Sequence, residues 1–388
     1  MRAGPGAWLV ASLLAGAAAP VLSGQAPAQE PSHWTDILYP FVSYSSVDRF
    51  SVGWSYAFYS PIGFTTRPER FRASVGITGS MSTEGSYRVV LEAAAPALWD
   101  GWRLSLVAGA VRANRLGYYG LGNTTRFDAD SVTSPNPYFY AVSRSTQQLR
   151  ATAQRRIIGP LRALAGVVLE HSKYRGLPGA TVFEQELTSG ALDSSQAEVT
   201  DFAARLGLVF DTRDNERDPH RGVLVEGLYS SGDGYTRTTA HARAFVSPWE
   251  RFTLAARLGG ESMDGDPPLA PLTLMESSEL PFVAVGGYNS LRGFYDGRFA
   301  GPGKLLGGLE ARYALIWWPT VVEVKLVGFY DAARVFGPGE DFTLTTDDLH
   351  SAGGAELVAR LGRNALIVWG AGFGNEGSQF VFRTGWSY

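Results

Sequence analysis

Apolar and polar residues alternate along most of this chain, and the period is two rather than 3.6. From Phe202 the even positions Phe202, Ala204, Leu206, Leu208 and Phe210 are apolar, while the odd positions carry Arg205, Gly207, Asp211 and Arg213. Successive side chains of a strand point to opposite faces, so such a segment has one apolar and one polar face. The same split recurs at 149–153 against Gln148, Arg150, Thr152 and Gln154, at 252–258 against Thr253, Arg257 and Glu261, and at 355–361 against Glu356 and Arg360. After the N-terminal segment there is no apolar run long enough for a membrane helix and no sustained helical periodicity, so the chain is expected to be all-β.

About sixteen such segments can be placed. They lie near 38–46, 49–59, 70–80, 84–95, 102–112, 145–156, 161–173 and 199–211, then near 221–231, 235–246, 251–263, 303–316, 320–333, 350–361, 364–374 and 379–388. In a soluble sandwich the apolar faces would form the core. In a transmembrane antiparallel β-barrel they would face lipid and the polar faces would line a lumen. The connections favour the barrel. Long polar loops, 113–144, 174–198, 264–302 and 334–349, follow odd-numbered strands, while short turns such as Ile158-Gly159-Pro160, Ser247-Pro248-Trp249 and Trp318-Pro319 follow even-numbered ones. Long loops on one side and short turns on the other are the barrel arrangement.

Residues 1–28 read as a signal peptide: Arg2, an apolar run from Trp8 to about Leu22, and small residues ending in Ala26-Pro27-Ala28. This leaves 29–36 as a short periplasmic segment and 37–388 as the barrel. The final segment ends on an aromatic: Phe380, Phe382, Trp386 and Tyr388 share one parity, and Gly385 weakens the strand. Pro40 removes a hydrogen-bond donor from a first strand whose alternation is poor.

Composition narrows the function classes. The 388 residues are 18% charged with a formal charge of −3 and carry no Lys/Arg-rich block, so nucleic acid is not an expected partner. The absence of cysteine excludes disulfides, thiolate metal sites and a lipid-modified cysteine. The motifs Gly-x-Ser-x-Gly and His-Glu-x-x-His, a phosphate loop and a dinucleotide fingerprint do not occur. Of the histidines, His171, His220, His241 and His350 read as ordinary polar residues. The glycine-rich 301–304 and 370–374 lack the following helix that phosphate binding needs. Asp214, Glu216 and Asp218 could hold a hard cation but read better as a solvated turn. No enzyme activity, metal or cofactor is expected.

Residues 286–299, GGYNSLRGFYDGRF, place Arg292 in a glycine-rich tip, with Gly286, Gly287, Gly293 and Gly297 permitting tightly turned backbone. Together with Ser290 and Phe294 this stretch resembles the Gly-Gly…Ser-Val-Arg-Gly-Phe/Tyr loop of the outer-membrane assembly and translocation barrels, the BamA/TamA-like or bacterial surface antigen superfamily, with Leu291 in place of valine. Asp211, Arg213, Asp214 and Asn215, followed by Pro219 and Gly222, resemble that superfamily's mid-barrel turn. Gly328-Phe329-Tyr330-Asp331-Ala332 resembles its Phe-x-Asp-x-Gly strand, with Ala332 and no matching glycine after it. The resemblance covers roughly 200–388; residues 36–200 fit by strand count alone.

The resemblance implies that the long loop after strand eleven folds into the lumen, where Arg292 pairs with Glu310 and Asp331. Parity, read without the family, also puts both acids inward: Glu310 shares a face with Arg312, and Asp331 with Glu323 and Lys325. Members of the family that receive clients usually carry periplasmic POTRA domains, and this sequence is read as a member without them. The expected function is a monomeric outer-membrane barrel that inserts or translocates proteins through a seam between its first and last strands. Its partners would be lipid, unfolded outer-membrane protein clients and an unknown periplasmic partner. The alternatives are a passive pore or structural barrel and, from a different class, a barrel-embedded hydrolase. Intact-mass measurement of the membrane-extracted protein should give a chain that begins at Gln29; a mass retaining residues 1–28 contradicts the signal-peptide reading.

Overall fold

The computed structural model describes residues 34–45, 49–61, 68–69, 71–318, 321–361 and 365–384. The expected signal peptide, most of the 29–36 segment, Pro319, and Gly385, Trp386 and Tyr388 lie outside them. The described chain is dominated by one sixteen-stranded antiparallel sheet. Its first half is β1 (Thr35–Ser45), β2 (Arg49–Pro61), β3 (Phe71–Ser82), β4 (Tyr87–Trp99), β5 (Trp102–Gly117), β6 (Ala141–Ile158), β7 (Leu161–Gly176) and β8 (Glu198–Asp211). There follow β9 (Gly222–Gly232), β10 (Tyr235–Trp249), β11 (Phe252–Gly265), and, inside the next loop, a two-residue hairpin of β12 (Leu274–Met275) and β13 (Phe282–Val283). The sheet resumes with β14 (Gly303–Trp318), β15 (Val322–Phe336), β16 (His350–Leu361), β17 (Ala365–Gly374) and β18 (Gly377–Thr384). Chain neighbours pair throughout, and β1 and β18 stand at the two ends of the order.

The burial pattern is inverted relative to a soluble protein. On β8, Arg205 is 1% exposed while the adjacent Leu206 is 62% exposed. Arg312, Glu261, Glu310 and Glu356 are likewise buried, while Leu258, Leu309, Tyr330 and Phe373 are exposed. A charge is kept from bulk water only when it is paired, and contiguous exposed apolar surface needs a cover. A lipid-embedded barrel with a filled polar lumen satisfies both conditions; a sandwich satisfies neither.

Exposed tryptophans Trp99, Trp102, Trp249 and Trp318 all stand at strand ends on the short-turn side. Exposed Tyr87, Phe202, Tyr229, Tyr330 and Phe373 stand toward the other ends. Such girdles mark the two membrane interfaces. From Val322, which pairs with Trp318, to Tyr330 the rise is roughly 20 Å at ~3.3 Å per residue and ~40° tilt, near the height of an apolar band.

The connections differ in detail from the short-turn expectation. Ser247, Pro248 and Trp249 remain within β10 as an irregularity of its pairing with β11, and the turn falls at 250–251. The β8–β9 connection, 212–221, is a folded turn rather than a tight one. On the long-loop side, α1 (Val182–Ser189) lies between β7 and β8, capped by Thr181 Oγ1 accepting from the Glu184 N–H. The loop 266–302 contains α2 (Leu269–Thr273), β12 and β13. Met275, Ala284, Val285, Leu291, Phe294 and Phe299 pack against Leu306, Ala333, Val335 and Ala352 on the inner face of β14–β16. This loop therefore completes an apolar cluster larger than those the wall strands make among themselves, such as Leu164, Val209, Leu224 and Leu228.

Leu258→Arg should destabilise the barrel by about 2–4 kcal/mol in lipid, because an outward charge near mid-bilayer is costly. Leu344→Arg, in a connection outside the apolar band, should stay within about 0.5 kcal/mol. Both side chains are exposed, Leu258 at 59% and Leu344 at 81%, so equal effects in reversible unfolding from liposomes would contradict the lipid-facing assignment.

Candidate functional site

The tip of loop 266–302 is built to let backbone approach backbone. Gly286, Gly287 and Gly293 all have positive φ, and Ser290 Oγ donates to the Gly286 carbonyl at 3.1 Å. The tip meets the wall at Gly293, with φ 132°. A Cβ there would come within 2.9 Å of the Ala352 side chain and 3.0 Å of the Phe373 backbone. Across the contact, a Cβ on Gly372 would lie 2.3 Å from the Arg292 carbonyl. The glycine-rich 370–374, weighed in the sequence as a phosphate loop, is thus the strand surface on which the tip rests. Phe294 lies over Gly374 of the same strand.

This seating aims Arg292 at the wall. Its Nε donates to Asp331 Oδ2 at 2.8 Å and its Nη2 to Asp331 Oδ1 at 3.0 Å, a bidentate fork. Its Nη1 donates to Glu310 Oε1 at 2.6 Å and to Glu356 Oε2 at 3.3 Å. The guanidinium also lies over the Phe329 ring, 3.7 Å from its centroid. All four charged side chains are fully buried. Two further arginines balance the three acids: Arg312 Nε donates to Glu310 Oε2 at 2.8 Å, and Arg257 Nη2 lies 3.6 Å from Asp331 Oδ1. Arg257 also donates to the carbonyls of Asn289 and Ser290, each at 2.5 Å. Three cations and three anions thus form one compact, desolvated group.

Sequence reasoning named Glu310 and Asp331 as the partners and missed Glu356, Arg257 and Arg312. The signal existed, since Glu356, Arg257 and Arg312 all sit on polar parities. It also missed the other half of the loop's docking. Glu276 accepts from Arg150 and, at 3.1 Å, from Arg205, and Glu279 accepts from Arg213 at 2.9 Å and Arg243 at 3.1 Å. Glu261 accepts from Lys304 at 2.6 Å and from the Glu276 N–H at 2.8 Å. The loop thus turns Arg292 to an acidic wall on β14–β16 and its own acids to a basic wall on β6, β8 and β10. One segment touching all these strands on one face means that the sheet is rolled around it.

The β8–β9 turn is a second insertion. The Asp211 carboxylate accepts from the Arg213 backbone N–H, Nε and Nη2 at 3.0–3.1 Å. Asp214 Oδ1 accepts from the His220 and Arg221 N–H groups, and Asn215 Oδ1 from those of Arg217 and Asp218. Pro219 is buried, and Gly222 has φ 101° where a Cβ would meet the Thr212 carbonyl at 2.2 Å. The three acids set aside as cation ligands separate: Asp214 caps the turn, Glu216 accepts from Arg103, and Asp218, buried rather than solvated, accepts from Lys325 Nζ at 2.8 Å. Asp218, His220 and Glu323 do converge. Lys325 Nζ, 3.2 Å from Glu323 as well, holds the place between the acids that a metal would take. Phe380 and Phe382 lie on the outer face of β18, Phe382 against Trp369. His241 is buried beside Glu226 and Phe282, and His350 is stacked on Phe299.

Arg292→Ala would strand three buried carboxylates with two arginines. Breaking a buried pair costs about 3–5 kcal/mol, so the heat-modifiability midpoint in detergent should fall. Arg292→Lys should rescue little, because an ammonium reproduces neither the fork nor the ring stacking. A midpoint unchanged in both variants would contradict this geometry.

A family model for the Omp85 superfamily domain matches residues 73–375. No curated protein matches the chain. Among solved structures, the chain is similar to BamA from Haemophilus ducreyi lacking POTRA domains 1–3, with TM-score 0.57, 14% identity, 91% of this chain and 69% of that one covered. It is also similar to CdiB from Escherichia coli, with TM-score 0.54, 11% identity and 93% of this chain covered, spanning 60% of that protein. At these identities the two structures speak to the fold. The family match spans most of the chain, which belongs to the Omp85 superfamily.

Proposed function

We propose that this protein is an outer-membrane barrel that inserts or translocates protein clients, and that its working element is the seam between β1 and β18. One observation carries the reading: β1 is apolar on both faces. Its pairing with β2 places Leu38 and Val42 on the outer face with Tyr56 and Val52, and Ile37 and Tyr39 on the lumen face with Ala57 and Ser55. Ile37 is 45% and Tyr39 48% exposed on the lumen face, whereas apolar residues of that face such as Leu164, Val209 and Val327 are buried. An apolar strand face left open at the end of a sheet is suited to receive a further amphipathic strand.

The end strands are also poor partners for each other. Pro40 has no N–H to give to a ladder. A ladder running through Pro40 has one donor fewer to break on opening. The Arg292 cluster holds β14, β15 and β16 as one block beside the seam, so movement would be greatest in β18 and β1 and would reach β17 only as the tip contact at Gly372 is released. The clients would be unfolded chains with alternating apolar strands, delivered by a separate periplasmic partner.

A passive pore is the second reading, favoured by Arg88 and Glu92, which are exposed on the lumen face of β4. One cross-link separates the two. A cysteine pair, one at 39–42 and one at 380–382, is introduced into the cysteine-free chain and oxidised in liposomes. The seam reading predicts assisted insertion of an unfolded barrel client when the pair is reduced and its loss when oxidised, with ion conductance retained. Conductance without assisted insertion in either state would contradict it.

A further inference from the structure

The tip stretch contains a second buried arginine, Arg298, that the Arg292 cluster does not use. Its side chain is fully buried. Nε donates to both carboxylate oxygens of Glu376, at 3.0 and 2.8 Å, and Nη2 donates to Glu376 Oε1 at 2.6 Å. On its other side Nη1 reaches Thr125 Oγ1 at 2.8 Å and Nη2 the Thr125 carbonyl at 2.7 Å. The guanidinium lies over Phe299, 4.4 Å from the ring centroid, and 5.2 Å from that of Tyr119.

Its two hydrogen-bonding partners come from two distant connections of the chain. Thr125 belongs to the β5–β6 connection, whose Gly122 N–H donates to the Ala300 carbonyl and whose Asn123 donates to the Asp348 carbonyl and accepts from the Val335 N–H. That connection is therefore pinned to β15, to the end of the inserted loop and to the β15–β16 connection. Glu376 is in the turn between β17 and β18, the hairpin that forms one side of the seam. We propose that Arg298 is a latch: it holds the long-loop-side end of the β17–β18 hairpin to the loops that cover the barrel, and this contact must release before the hairpin can leave the wall.

Physical reasoning favours a latch over an ordinary surface pair. A guanidinium with no exposed surface cannot exchange its carboxylate for water without moving out of its site, so the contact is held or broken rather than gradually loosened. The fork of charge-assisted bonds sits at the turn of the hairpin, where it fixes the tip directly. A client segment that displaced residues around Thr125, or that presented its own carboxylate to Arg298, would free the hairpin. The proposal rests on the seam reading for its purpose but not for its test.

The test is hydrogen–deuterium exchange of the full chain in proteoliposomes, comparing wild type with Glu376→Gln and Thr125→Val. Glu376→Gln should raise exchange about 10-fold or more in 372–381, as expected when a charge-assisted contact holding a local opening unit is weakened. Strands β14 and β15 should stay unchanged. Thr125→Val, which removes one of the two bonds to that residue, should raise exchange in the same segment by less. If Glu376→Gln does not assemble, Glu376→Asp, which keeps the charge but shortens the reach, should show the same localised rise. Unchanged exchange in 372–381, or a rise spread equally over all strands, would overturn the latch. Because no client is needed, a localised rise in a barrel that inserts nothing would overturn the seam reading and leave the latch standing.

Discussion

A buried guanidinium facing three carboxylates is the constraint around which the rest of this barrel is arranged. Arg292 cannot enter the lumen wall alone, because an unpaired charge there would be expelled or neutralised. Glu310, Asp331 and Glu356 cannot sit together on neighbouring strands without it, because their mutual repulsion in a low-dielectric site is severe. Each side makes the other tolerable, and Arg312 and Arg257 bring the group to neutrality. The geometry demands close approach, hence the glycines on both the tip and β17. Specificity follows, since a loop that missed its seat by one residue would leave several charges buried without partners.

The same logic explains how a barrel with only small apolar clusters inside holds together. Outside, side chains such as Leu206, Leu258 and Leu309 are left for lipid; inside, the loop provides both the small apolar core and the counter-charges. Its two halves carry opposite charge, Arg292 toward β14–β16 and Glu276 and Glu279 toward Arg150, Arg205, Arg213 and Arg243. Such a loop resists both withdrawal and rotation. The β8–β9 turn repeats the device at the other end of the lumen, where Asp218 meets Lys325 and, at 3.4 Å, Arg360. Rigidity is therefore concentrated in β6–β16. The end strands share little of it.

Much of the fold was legible because one rule, inward and outward alternation, acts locally along every strand. Segments placed from the pattern coincide with the observed strands to within a few residues; β6 was read as 145–156 and spans 141–158, since its polar extension beyond the apolar band alternates weakly. Parity also put Glu310 and Asp331 on the face where Arg292 lies. What parity could not supply was which inward residues meet across the lumen. Glu276 finding Arg150 and Arg205, or Arg298 finding Glu376, depends on how the sheet rolls and how the loop turns, and neither leaves a local trace. The glycine run 370–374 was uninformative for the same reason: its role is defined by what lies on top of it.

The claim that the Arg292 cluster couples loop to wall is tested most directly by a double-mutant cycle between Arg292→Met and Asp331→Asn, using reversible unfolding from lipid. Partners that share a desolvated fork should show a coupling of about 1.5–3 kcal/mol, the double variant being less destabilised than the sum of the singles. Additivity within about 0.5 kcal/mol would mean that the two residues act independently, and the loop would have to be held in the lumen by something else.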